Sequence, residues 1–407
     1  MRETSVDVAE PAAAAPPNRR GTLGVILALA LGGFGIGTTE FVAMGLLPNI
    51  ADDIGVAEPT AGHIISAYAL GVVVGAPVIA VLAARVSRRS LLIGLMVAFT
   101  AGNALSLVAA DYPLLLAARF VAGLPHGAYF GVAALVAAHL AGPGRRAAAV
   151  GQVMMGLSVA NVLGVPAATW IGQALGWRAA IGVVVAIGAV TVIALWTVLP
   201  HLSSMTVTDP RTELRGLRRG QIWLTLVIGT VGFGGFFAFY TYLNTALTSV
   251  AGLPESTVPL ALALFGVGMV VGNYVGGRLA DTFGDRAIGI GMAAAATALV
   301  TFALTVSTGW PALIVTFLIG CAGSTALPGL QTRLMDVAHD AQTIAAALNH
   351  SALNVANAIG AALGGAVISA GFGYRAPALA GAGLALAGVI MLLVATATAR
   401  RPERVTG

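Results

Sequence analysis

Twelve long apolar runs dominate this 407-residue chain and leave little freedom in what it can fold into. They fall at residues 22–48, 60–84, 90–109, 113–140, 147–174, 178–199, 221–248, 257–280, 287–307, 311–333, 343–370 and 376–398. A bilayer core of ~30 Å takes roughly 20 apolar residues wound as a helix. Lipid offers backbone N–H and C=O groups no water, so a spanning segment must satisfy them internally. The expectation is an all-α integral membrane protein. Composition excludes the soluble alternative: 58% of residues are hydrophobic and 9% are charged, where a soluble domain carries about 25% charged residues. The 53 glycines suit helix backbones that approach closely in lipid. Cys321 is the single cysteine, so no disulfide framework is expected.

The charges fix an expected orientation. All basic residues are Arg. With the N-terminus placed inside, eighteen arginines fall in inside segments and only Arg178 and Arg375 fall outside, with Arg119 left within a helix. That is a positive-inside bias, and it accounts for the net charge of +5 without a nucleic-acid partner. The first outside loop is acidic, through Asp52, Asp53 and Glu58. The first 20 residues are Pro- and Ala-rich and read as a disordered cytoplasmic tail. The apolar segment after them is too long for the core of a signal peptide. Residues 201–220 form a polar, Arg-rich cytoplasmic linker between six-helix halves at 21–200 and 221–399, and residues 400–407 form a second cytoplasmic tail.

The halves repeat. Tyr68 opens a segment matched by the one from Phe265, an offset of 197, which pairs Gly71 with Gly268, Gly75 with Gly272 and Arg89 with Arg286. VANVLG at Val159 matches VANAIG at Val355, an offset of 196. Gly176-Trp177-Arg178 matches Gly373-Tyr374-Arg375, again at 197. Duplicated six-helix halves around a midplane site are a transporter architecture.

Of sixteen acids, fifteen fall in tails, loops or helix ends, and only Glu40 lies within an apolar run. Burying an ionised carboxylate there costs at least ~2.5–3.5 kcal/mol, so such a residue needs a partner or a wet cavity. Glu40 reads as the proton-handling acid of a transporter, or else as a permanently paired structural acid. His126 follows Arg119 by seven residues, two helical turns, and so shares its face. It reads as a proton relay or as a satisfied structural histidine. His63 reads as interfacial, and His139, His201, His339 and His350, at or near cytoplasmic ends, carry no strong signal. Asn161 and Asn357 are repeat equivalents inside apolar helices, positioned to bond either substrate or a neighbouring helix. Phe233, Phe236, Phe237 and Tyr240 form an aromatic stripe at helical spacing, for packing or for an apolar substrate. No nucleotide-binding loop, metal-ligand cluster or catalytic triad is visible, so the energy source is expected to be a proton gradient and no cofactor is expected.

Four stretches, GFGIGTTEFVAMGLLP, AGHIISAYALGVVVGAP, ARFVAGLPHGAYFGVAA and VANVLGVPAATWIGQALGWR, resemble the major facilitator superfamily, and within it the drug:proton antiporter-1 branch of arabinose-efflux-like and chloramphenicol-resistance permeases. The likeness covers essentially all of the chain after residue 20. The superfamily's G-x-L-a-D-r-x-G-r-k loop occurs twice. The copy from Gly277 through Asp281 and Gly284 to Arg286 is close, whereas the first has Ala80, Ala84 and Ser87 in place of the Gly, Asp and Gly and keeps Arg85, Arg88 and Arg89. The helix 4 signature matches at Arg119 and Gly123; the helix 5 signature matches at Gly156, Gly164, Pro166 and Gly172, with Val165 in place of a Gly.

The resemblance implies twelve helices in two pseudo-symmetric halves, with Glu40 and Arg119 apposed in the first. It implies gating loops at Arg85, Arg88, Arg89, Gly277, Asp281, Gly284 and Arg286 and a helix 5 hinge at Gly164 and Pro166. Proton coupling is expected at Glu40, Arg119 and His126, and a substrate cavity at Phe34, Thr38, Phe130, Asn161, Phe236, Tyr240 and Asn357. The expected activity is proton-coupled efflux of a small, neutral or weakly cationic, partly apolar compound, with no enzymatic function. Export of a sugar or nucleoside-like metabolite and uncoupled facilitation remain alternatives; the repeat argues against an intramembrane enzyme or receptor. The protein is expected as a monomer in a bacterial cytoplasmic membrane, with both termini cytoplasmic, and with lipid, protons and a small molecule as its partners.

Overall fold

Among the described residues, the twelve apolar runs form twelve helices long and apolar enough to cross a membrane: α1 (Gly21–Gly45), α2 (Glu58–Ala76), α3 (Arg88–Leu107), α4 (Tyr112–Ala141), α5 (Ala148–Leu175), α6 (Trp177–Val198), α7 (Gly220–Thr241), α8 (Glu255–Phe283), α9 (Asp285–Thr308), α10 (Pro311–Ala338), α11 (Leu348–Phe372) and α12 (Ala376–Ala397). The structure is a computed structural model describing residues 19–82, 86–142, 145–200, 202, 219–338 and 342–399. Most of the expected linker, the expected N-terminal tail up to residue 18, the expected C-terminal tail and Arg85 lie outside the described residues. The first helix ends at Gly45, short of the expected residue 48. Pro48 has no N–H to continue the ladder, and a separate short helix, Leu47–Ile54, starts around it.

The sequence repeat is also a packing repeat. A Cβ on Gly71 would run into the carbonyl of Phe120, and one on Gly268 into that of Phe317. Gly75 meets the Leu124 carbonyl and Gly272 that of Cys321, while Gly123 meets Tyr68 and Gly320 meets Phe265. Each of these three first-half contacts thus recurs at an offset of 197 in the second. These glycines let α2 lie backbone-to-backbone on α4, and α8 on α10. Such close approach gains dispersion contacts that lipid does not provide.

The halves meet along two further repeat-related seams. In one, Ser66 of α2 donates to the Ala358 carbonyl of α11 at 3.0 Å. In the other, α8 lies against α5 so closely that a Cβ on Gly266 would collide with the Asn161 carbonyl. Within α5, Ala160–Gly164 forms one π-helical turn. It sits just before Pro166, whose missing N–H cannot close an ordinary α turn, and irregularities of this kind kink helices.

One end of the bundle is sealed. Asn49 donates to Glu255 at 2.9 Å, Asn244 to the Gly45 carbonyl at 2.6 Å, and Gln173 to the Glu255 carbonyl at 3.0 Å. The Glu58 carboxylate accepts from Thr245 at 2.5 Å and from Tyr374 at 3.0 Å. Behind them Phe41 of α1 packs edge-on against Tyr240 of α7, with centroids 5.5 Å apart. Every one of these contacts joins the two halves at the acidic-loop end. At the opposite, arginine-rich end, Arg89 donates to the Trp196 carbonyl and Arg333 pairs with Asp285, both within one half.

Candidate functional site

Glu40 lies five residues before the end of α1 and is 6% exposed. Four side chains from four other helices sense its charge or stand against it: Tyr68 of α2, Arg119 of α4, Tyr240 of α7 and Asn357 of α11. The carboxylate is therefore placed between the halves, with two groups from each. Among the described residues it makes no ion pair.

The expected Glu40–Arg119 pairing is corrected in this respect. Arg119 is at the depth the sequence implied, but its Nη1 donates to Thr39 Oγ1 at 3.1 Å and its Nη2 to the Thr39 carbonyl at 3.1 Å. The Tyr68 ring covers it, 4.5 Å from centroid to guanidinium carbon. Thr39 in turn donates to Asn103 Oδ1 at 2.5 Å, and Asn103 is anchored to the Phe99 carbonyl. Neutral acceptors and a ring face thus hold the cation, and a desolvated cation–π contact is worth up to ~2 kcal/mol. The physical consequence is a fixed positive charge near Glu40 that does not occupy its oxygens. The sequence reading missed Thr39, Asn103 and Tyr68; the polar pair Thr38-Thr39 beside Glu40 was the available signal.

His126 is buried, and its Nδ1 lies 3.1 Å from the Tyr68 hydroxyl. One turn on, Phe130 packs against His126 with centroids 5.3 Å apart. Phe130 also stacks on His350 of α11, with centroids 5.6 Å apart and the planes within 2° of parallel. His350, near the start of α11 as the sequence placed it, thus lies against the expected cavity residue Phe130. The antiparallel course of α4 and α11 brings it opposite Phe130, a relation no local pattern contains.

Asn161 and Asn357 are not glue between helices. Asn161 donates to Leu157 in its own helix, and its Oδ1 is buried without a partner. Asn357 is fully buried, and neither of its amide atoms has a hydrogen-bond partner. Asn354, one turn below it, also has an unpartnered Oδ1. Buried amides left open cost of order 1–3 kcal/mol each, which suits groups that receive water or a ligand.

Phe34 and Thr38 of α1 press on Gly164 at the π-helical turn, so the expected hinge residue Gly164 sits directly against two expected cavity residues, with Pro166 two residues on. The aromatic stripe divides. Tyr240 stands by Glu40 and touches Phe41 and Phe265, whereas Phe236 packs on Phe237 and Phe265 beside a small gap inside the second half.

Among the gating residues, Arg89 spans from the start of α3 to the end of α6, and Gly284 turns the chain between α8 and α9 with φ of 55°. Asp281 and Arg286 are exposed, Gly277 and Arg88 half-buried. Arg333 is the unanticipated member of this end. It is 6% exposed and binds Asp285, Gln221 and Thr225, tying α7, α9 and α10 together.

Comparison with known proteins places the architecture. The profile of the Major Facilitator Superfamily matches residues 29–349 and 246–407. The inner membrane transport protein YdhP of Escherichia coli K12 is 40% identical over 380 residues, covering 93% of this chain and 97% of YdhP. A chloramphenicol resistance protein of Streptomyces lividans is 34% identical, covering 82% of this chain and 86% of that protein, in keeping with the branch read from the four stretches. A solved bacterial homolog of the human lysosomal transporter Spinster, in an inward-facing, occupied conformation, aligns over 95% of this chain and 98% of its own with a TM-score of 0.73 at 17% identity. The fold, the internal repeat and these relatives agree: the chain is a multi-pass membrane transporter belonging to the Major Facilitator Superfamily.

Proposed function

We propose that the chain exports a small, neutral or weakly cationic, partly apolar organic compound, such as an amphenicol antibiotic, against an inward flow of protons. The observation that carries this reading is Glu40, a carboxyl buried between the halves with a fixed cation nearby and no ion pair of its own. A carboxylate locked in an ion pair resists protonation; one beside a charge that makes no pair with it can load and release a proton as its surroundings alternate. The chloramphenicol-resistance relative and the aromatic residues Phe34, Phe130 and Tyr240 support the substrate class.

On the positive-inside rule the arginine-rich end faces the cytoplasm, with both termini inside and a monomer as the working unit. The sealed acidic end is then the outer gate. In this state Glu40 gives its proton to water on the inner side, and the compound enters between α1, α4, α7 and α11. The halves then rock on the α2–α11 and α5–α8 seams, the outer seal opens, and the compound leaves as Glu40 takes a proton from outside. Asp281, exposed here, bonds the facing half only when the inner end shuts.

Everted vesicles energised by respiration accumulate the compound under this reading, and a protonophore stops them. Glu40→Gln keeps binding and abolishes uphill transport, and it abolishes the proton release that substrate binding causes in detergent. Proton release from Glu40→Gln equal to that of the parent would refute the role of Glu40, and accumulation without a gradient would refute coupling. A second reading, export of a sugar or nucleoside-like metabolite, is favoured by the open amides of Asn161 and Asn357. Competition between amphenicols and sugars for binding to the purified protein separates the two.

A further inference from the structure

Phe130 and His350 are two flat rings carried by opposite halves. Phe130 belongs to α4 and is 1% exposed, and His350 belongs to α11 and is half-buried. Their planes lie within 2° of parallel, with centroids 5.6 Å apart. His126, one turn before Phe130, packs on it at a tilt of 59° and lies by the Tyr68 hydroxyl, so the first-half ring is braced from within its own half. The pair lies inward of Glu40. Phe130 follows Arg119, which bonds Thr39 beside Glu40, by eleven residues, or about 16 Å of helix rise toward the arginine-rich end. The hydrogen bonds between halves described above lie further out: Ser66 of α2 meets Ala358, eight residues beyond His350 along α11. A compound that enters between α4 and α11 from the arginine-rich end meets this ring pair before it reaches Glu40.

A polar group stands on the same turn. Asn354 follows His350 by four residues, on the same face of α11, and is 4% exposed. Its Nδ2 donates to the His350 carbonyl at 3.0 Å. A carbonyl only accepts, so the amide cannot be turned over, and the atom it leaves free is Oδ1, buried without a partner. A ligand satisfies that atom with a hydroxyl or an amide N–H.

We propose that Phe130 and His350 are the two walls of a slot for a flat aromatic ring, with Asn354 Oδ1 accepting from a hydroxyl or amide N–H carried on an arm of that ring. The parallel arrangement is the one a third ring needs, since the walls separate as the halves rock and neither has to turn. Empty, the walls stack on one another, so a guest ring makes two stacks and gives up one. One wall belongs to each half, so the guest bridges the halves through itself. The inference deepens the reading of the chain as an exporter of a partly apolar compound and rests on it. It adds that the compound is an arene with a donor arm, and that His350 and Asn354 hold it.

The test uses the full-length protein in detergent. Its probes are chloramphenicol, the di-O-methyl ether and the N-methyl amide of chloramphenicol, and an aryl azide analogue. Irradiated, the azide labels α4 around Phe130 and α11 around His350, as read by mass spectrometry; label confined to other helices overturns the slot. Asn354→Ala weakens chloramphenicol binding about tenfold. It costs nothing further with one of the two methylated analogues, the one lacking the donor that Asn354 reads; equal losses with all three overturn its role. Phe130→Leu and His350→Leu singly leave the affinity within about threefold, because each removes a guest stack together with the stack that competes with it. Combined, they weaken binding about tenfold, and a double variant that binds as either single one does overturns the slot. If Phe130→Leu does not fold, the labelling and Asn354 arms, which keep Phe130, decide. A parent that does not bind chloramphenicol overturns the slot and the proposed substrate class together. Binding that ignores both the ring pair and Asn354 overturns the slot alone. The expected losses, in a protein whose vesicles accumulate chloramphenicol without a gradient, support the slot and overturn only the proton coupling.

Discussion

Glu58 holds the outer seal by accepting two hydroxyls from the other half, Thr245 on one carboxylate oxygen and Tyr374 on the other. Replacing it with Gln turns one oxygen into an NH2 that cannot accept, and leaves the other as a neutral carbonyl. A bond to a charged acceptor contributes about 1.5–3 kcal/mol net, and a neutral one about 0.5–1.5. One bond is lost and one is weakened, but the group is half-buried, so the lower end applies and the seal loses about 2 kcal/mol. At 1.4 kcal/mol per decade, that shifts the ratio of outer-open to outer-closed about 30-fold. Tyr374→Phe removes one bond only and shifts it about tenfold. Distance distributions between labels at Ala57 and Ser249 report the two populations directly. A closed fraction in Glu58→Gln equal to that of the parent would refute the reasoning, and would show that the Phe41–Tyr240 contact behind Glu58 suffices to hold the gate.

Four other outcomes follow from the same geometry. Thr39→Val leaves the buried Arg119 short of an acceptor and Asn103 short of a donor, destabilising the protein by about 1.5–3 kcal/mol; thermal unfolding in detergent reads the loss, and Thr39→Ser recovers most of it. Gly266→Leu forces α8 away from the Asn161 carbonyl and abolishes transport, whereas Gly182→Leu, which meets open space, leaves the vesicle uptake rate unchanged. Asp281→Asn leaves the melting temperature and the outer-closed distances intact, because Asp281 is exposed in this state, but slows turnover. The Trp177 indole, followed by the Arg178 guanidinium, holds the Asp53 carboxyl below the usual carboxylate range. Its contribution to stability is therefore present above the ordinary carboxylate pKa of about 3.9 and is lost as pH falls through the lower folded value. Asp53→Asn accordingly lowers the melting temperature slightly near neutral pH, by an exposed-pair contribution of about 1 kcal/mol or less, and not at all in strong acid.

What could be read in advance divides along a physical line. The repeat offset of 197 carried real contacts, because the glycines that match in sequence are the ones where helices touch within a half. Glu40 and Arg119 were legible from their cost in lipid alone, and so was their common depth, which follows from counting residues along antiparallel helices. The partners of Arg119 were not, since Thr39 and Tyr68 compete for it only once three helices are assembled. The stacking of His350 on Phe130 was not legible, because a place near a helix end says nothing of the ring opposite. Arg333 was counted as an inside charge, but the arrangement of α7 and α9 buries it. The outer seal joins residues up to 316 apart in the chain, so no local pattern reveals it.

The chemical make-up of that seal has a kinetic meaning. Its hydrogen bonds set carboxylates and carbonyls against neutral amide and hydroxyl donors, while the ion pairs among the described residues, Arg178–Asp53 and Arg333–Asp285, each stay within one half. Opening the gate therefore separates no opposite charges. Water replaces the departing hydroxyls at Glu58 as they leave, so the barrier has no large Coulombic component and little for dissolved ions to screen. A gate of this kind opens at nearly the same rate in dilute and in concentrated salt.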